Sequence, residues 1–142
     1  MEVNVQLMQP LVVLVVWSAF MWLWMYATRL PAIAAMKLEM DPEAPAGLQM
    51  SQLPAKVRWK ADNYNHLMEQ PTVFYAIVLS LAFLGASSEV NIYAAWIYVA
   101  LRVVHSLLQA LLNKIELRFA VFFLSNIPLG ILTFNAASAA FS

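Results

Sequence analysis

The sequence predicts an all-α integral membrane protein, an up-down four-helix bundle that uses the whole chain as a single domain. Three observations carry this. The 142 residues are 63% hydrophobic and only 11% charged, whereas soluble domains are about half apolar and about a quarter charged. Four stretches stay apolar over the roughly 20 residues a helix needs to cross a bilayer. None alternates with the period of two that a barrel strand requires, and backbone in lipid must satisfy itself, so each reads as a helix. Short links between the last three make neighbours antiparallel.

The first span covers residues 5–35. Ser18 alone interrupts its most apolar part, 11–25, and Arg29 and Pro31 lie near its far end. Glu2 precedes it with no basic segment or small-residue cleavage pattern, so it reads as a retained span rather than a signal peptide. Residues 37–59 hold Pro42, Pro45, Pro54 and Gly47 and read as a loop. The second span covers 60–85 and ends at a turn with Ser87, Ser88 and Glu89. The third covers 91–113, and a short turn at 114–116 leads to the fourth, 117–140. Lys37, Lys56, Arg58 and Lys60 mark the first connection, and Lys114 and Arg118 the third. The excess of basic residues there predicts both connections on the cytoplasmic side, with both termini opposite. Lipids are therefore partners. Eight basic residues balance eight acidic ones, which leaves no basic surplus for nucleic acid. The absence of cysteine rules out disulfides, thiolate-held clusters and a protein thiol nucleophile.

Polar residues form two stripes. On the second span Asp62, His66 and Glu69 recur at i, i+4 and i+7, with Asn65 beside them. On the third span Arg102, His105, Gln109 and Asn113 share one face. Arg102 sits near mid-span, where an arginine costs about 2.5–3.5 kcal/mol on insertion scales and must face protein or water. Glu69 is its expected partner. Pro71 removes an amide and kinks the second span. Such a pair serves either function or helix register. His66 and His105 also leave a metal or haem site open as an alternative.

"DNYNHLMEQPTVFY" (62–75) and "RVVHSLLQ" (102–109), with Arg118 at the start of the fourth span, resemble the MAPEG family. These are the membrane-associated proteins of eicosanoid and glutathione metabolism, and the likeness is to their bacterial branch. The resemblance extends over nearly the whole chain and implies a bacterial inner membrane as its location. It implies a homotrimer with glutathione as co-substrate, bound between subunits near the cytoplasmic face. It also implies a lipophilic small-molecule substrate, in transferase or peroxidase chemistry. On this resemblance Arg118 stabilises the glutathione thiolate, and Glu69 receives the γ-glutamyl amine. Asn65, His66, Arg102, His105 and Gln109 hold the peptide. The chain departs from the family where arginines usually precede the helix-two glutamate, leaving Arg29 or Lys60 to supply a cation. Gln109 occupies a tyrosine position, and Phe122 replaces an aromatic hydroxyl. The alternative to an enzyme is a non-catalytic trimeric module whose polar core serves assembly or lipid binding.

Overall fold

A computed structural model describes residues 4–142. Its regular elements are all helical: α1 (Val5–Met36), α2 (Ala55–Leu67), α3 (Pro71–Phe83), α4 (Glu89–Leu107) and α5 (Ile115–Phe141). A five-residue π segment, Leu108–Leu112, continues α4. Three rods are long and apolar enough to cross a membrane: Val5–Met36, Glu89–Leu112 and Ile115–Phe141.

α1 begins where Asn4 Oδ1 accepts the Gln6 amide at 2.8 Å, a side-chain cap for an otherwise unpaired donor. It buries Leu7, Pro10, Leu14, Ser18, Met21 and Met25. Their spacing of three and four residues makes one narrow seam against the bundle. Val12, Val16, Phe20 and Leu23 on its other faces are exposed, as suits lipid or another membrane chain. Ser18 spends its hydroxyl on the Leu14 carbonyl at 2.9 Å, so it adds no unpaired donor to the seam.

The second expected span is two helices rather than one. α2 ends at Leu67 and α3 starts at Pro71, with a turn across Met68, Glu69 and Gln70. Pro71 has no amide for the Leu67 carbonyl, and its ring crowds the preceding turn. The Glu69 and Val73 amides bond three residues back instead, to His66 and Gln70. Gln70 closes the break. Its Oε1 accepts the Tyr98 hydroxyl of α4 at 3.1 Å, and its Nε2 donates to Asn126 Oδ1 of α5. One amide thus joins three rods where the helical ladder is interrupted.

α4 is the central rod. Asn91, Ala94, Ala95, Tyr98, Val99, Arg102, His105 and Ser106 are all buried, and Ala94 and Ala95 allow close backbone approach. It packs on both α1 and α5. At the end away from Arg102, Asn135 Nδ2 donates to Asn91 Oδ1 at 2.7 Å. The segment before α2 is ordered by Gln49, which pairs with the backbone of Glu39 and Asp41. Arg58 Nε donates to the Leu53 carbonyl at 2.9 Å.

Replacing Gln70 by Leu strands the Tyr98 hydroxyl and the Asn126 amide inside the bundle. We expect a loss of about 1–3 kcal/mol, the cost of an unsatisfied buried polar group. Tyr98→Phe, which removes one bond and its donor together, is expected to cost less. Chemical unfolding in detergent micelles measures both, and equal stability of Gln70→Leu and the parent contradicts the clasp.

Candidate functional site

The third expected span supplies the core of the site. Arg102 is completely buried, and His105 and Gln109 are 3% and 6% exposed. Helical spacing puts the first two on one face. The π segment then shifts the register by an extra residue per turn and still holds Gln109 inward. Asn113 ends that segment with φ 50° and ψ 35°, a left-handed conformation that asparagine tolerates better than most side chains. The Asn113 amide bonds the Leu108 carbonyl five residues back at 2.6 Å.

Arg102 does not pair with Glu69. Its Nη2 donates to His66 Nδ1 at 2.7 Å, while Nε and Nη1 have no hydrogen-bond partner. Glu69 lies exposed on the turn after α2. The expected face-sharing of His66 and Glu69 needs an uninterrupted helix, and helical geometry stops at Leu67. A guanidinium only donates, so His66 Nδ1 presents a lone pair and the neutral ring carries its proton on Nε2. The His66 and His105 rings stack at 4.7 Å with 20° between planes. Phe122 of α5 closes the group: its ring lies 5.3 Å edge-on from His66 and 5.6 Å from the Arg102 Cζ.

Beside this stack is a cavity of about 180 Å³, lined by His66, His105, Gln109, Ile115, Arg118, Phe119 and Phe122. Arg118 Nη1 donates to Asn113 Oδ1 at 2.7 Å. The buried Gln109 Oε1 has no donor. The cavity is therefore lined by a cation together with aromatic and aliphatic carbon, with Gln109 among its walls. Ile115 and Phe119 are 67% and 65% exposed, so that apolar wall continues onto the outer surface.

Arg29 and Asn65 do not reach this cavity. With Arg58, Asp62 and Ser51 they line a second one of about 350 Å³, between the end of α1, the ordered loop and α2. Asn65 and His66 are consecutive, and about 100° around a helix separates them, so these two neighbours on α2 face different cavities. Lys60 joins neither. Its ammonium donates to the Lys56 carbonyl at 3.0 Å and lies 5.2 Å from the Trp24 ring centre.

A family model described as "MAPEG family" matches residues 7–138, nearly the full length. The chain belongs to the MAPEG family. It is accordingly an integral membrane protein, in keeping with its three long apolar helices. Comparison with curated proteins and with solved structures gave no match.

Among the described residues no three histidine, cysteine or acidic side chains converge. The Nδ1 of His66 already accepts Arg102. Reasoning from sequence also missed the tether between Asn113 and Arg118 and the Gln70 clasp. Asn113 had a visible signal, an asparagine closing a helical pattern just before a new one. Asn126 had none, since one amide in an apolar run does not alter its average.

His66→Phe removes the acceptor from a fully buried guanidinium while keeping a ring for the stack. We expect a loss of about 2 kcal/mol, typical for a hydrogen bond to a charged group, with part recovered in His66→Asn. Unfolding midpoints of the three proteins in one detergent test this; a His66→Phe protein as stable as the parent rules out the pairing.

Proposed function

We propose that this MAPEG protein uses glutathione as a sulfur nucleophile against lipophilic electrophiles or peroxides that reach it from the bilayer. The observation that carries the reading is the cavity whose lining combines Arg118, with one of its five donors engaged by Asn113, and the apolar Ile115, Phe119 and Phe122, a wall that continues onto the outer surface. Thiolate rather than thiol is the nucleophile, and a permanently charged guanidinium favours that form. Gln109 lines the same cavity, and a turn of its side chain would present its unpaired, buried Oε1 to a peptide amide N–H. His66, with its proton on Nε2, supplies a neutral donor. Ile115, Phe119 and Phe122 receive the lipophilic partner and keep water from the sulfur.

A complete small-molecule site usually measures roughly 300–1,000 Å³, and the Arg118 cavity is about 180 Å³. It suits the thiol end of the tripeptide. The second cavity, with Arg29, Asn65, Arg58 and Asp62, has the charges for a zwitterionic end. In our reading the chain is a homotrimer and the Arg29 cavity of one copy abuts the Arg118 cavity of the next. Glu69, exposed on the single chain, then faces the ligand or the neighbouring copy. The broken α2–α3 rod is the remaining membrane crossing, and the basic connections near both cavities lie on the cytoplasmic side.

Arg102 supports a second reading for itself alone. It is completely buried and hydrogen-bonded to His66 within the chain, so its role is to fix α2 against α4. A polar core kept only for assembly is the non-enzymatic form of that reading.

Titration with glutathione in detergent separates the two. Binding to the folded state raises the unfolding free energy, by about 2.7 kcal/mol at a hundredfold excess over Kd. Arg118→Ala is expected to keep the fold and lose most of the thiolate. No thermal shift at millimolar glutathione refutes the enzymatic reading, and full activity in Arg118→Ala refutes the role of that arginine.

A further inference from the structure

Arg118 occupies an awkward position. It lies in the first turn of α5, where the helix macrodipole disfavours a cation, and its long side chain is free to swing toward water. Asn113 opposes that. Among the described residues, its Oδ1 accepts the one side-chain hydrogen bond that Arg118 makes, at 2.7 Å and across only five residues of chain. Asn113 is itself fixed, because the π segment ends on it in a left-handed conformation and its amide closes the last π bond.

Two demands meet at this position. The backbone needs φ near +50°, which glycine meets most easily. The tether needs an acceptor without charge. A carboxylate would hold Arg118 equally well but would cancel the charge that the site requires. Asparagine satisfies both demands. We propose that Asn113 is the positioning residue for Arg118, holding the guanidinium over the cavity while leaving its charge to stabilise a ligand thiolate. This rests on Arg118 acting on glutathione as described above. The charged and titratable groups that line the cavity are His66 of α2, His105 of α4 and Arg118 itself, with Arg102 of α4 bonded to His66. Lys114 and Glu116 adjoin on the exposed turn and first residues of α5.

The test is the ultraviolet thiolate absorbance of bound glutathione, followed against pH on the full chain in detergent. The parent protein, Asn113→Gly and Asn113→Asp are compared. In the parent the bound thiol ionises at lower pH than free glutathione. Asn113→Gly keeps the backbone conformation and loses the tether, and its midpoint rises by about half to one pH unit, as the loss of one hydrogen bond predicts. Asn113→Asp keeps the tether and neutralises the cation, and its midpoint rises further. The rise in Asn113→Gly carries the test, because a carboxylate at position 113 raises the midpoint by its charge alone. If Asn113→Gly does not fold, Asn113→Ala, which also lacks the acceptor, takes its place. Thiolate in the parent with an unchanged midpoint in the folded acceptor-less variant overturns the proposal. No thiolate in the parent overturns the glutathione reading, and this role with it.

Discussion

The bundle is organised around a guanidinium that has no access to solvent. Arg102 is completely buried within a central helix, in a position where an uncompensated cation costs several kcal/mol. Its neighbours follow from that constraint. A neutral histidine on α2 accepts one of its N–H groups, a second histidine stacks on the first, and an aromatic ring of α5 lies against the charge. Three rods are brought together by one side chain. The pairing is with a neutral acceptor rather than a carboxylate, so the core keeps a net positive charge and the Arg102 Nε and Nη1 remain unpartnered.

Two interruptions of regular helix flank this charge. α2 stops at Leu67, and α4 passes into a π segment at Leu108. Irregular backbone at membrane depth is tolerated where protein or a polar cavity satisfies it. Here Gln70 bridges the first interruption to two neighbours, and the second brings Gln109 to the cavity. Both irregularities thus adjoin polar groups that a continuous helix would place elsewhere. The apolar halves of the rods, toward the Asn91–Asn135 contact, carry no such interruption apart from the prolines inside α1 and α5.

Helix type was legible in the sequence because long apolar runs have few structural solutions in lipid. The buried face of α4 was legible because Arg102, His105 and Gln109 repeat at helical spacing. Pro71 signalled trouble in the second span, but periodicity alone treated His66 and Glu69 as one face. Glu69 is therefore not the partner of Arg102 that periodicity predicts, since the helix ends at Leu67, two residues too soon for that register. The separation of Arg29 and Asn65 from Arg118 was not legible. It depends on which side of α2 each residue meets, and that follows from tertiary packing of α1 and the ordered loop.

That separation bears on how the chain can work. The cation at the aromatic wall and the cations near the end of α1 lie in different cavities of one molecule. A ligand with charge at one end and a reactive group at the other gains from both only if the cavities are apposed. Within one chain α2 stands between them, anchored by Lys60 against Trp24 and by His66 against Arg102. Moving α2 aside would expose the buried guanidinium. Apposition by a second copy leaves every one of these contacts intact. The exposed apolar faces of α1 and α5 provide surface for such a contact at little desolvation cost in a membrane, where packing rather than the hydrophobic effect drives association. On the proposed reading, the buried arginine that holds each chain together is thus also why a second copy, rather than a movement of α2, would bring the two cavities together.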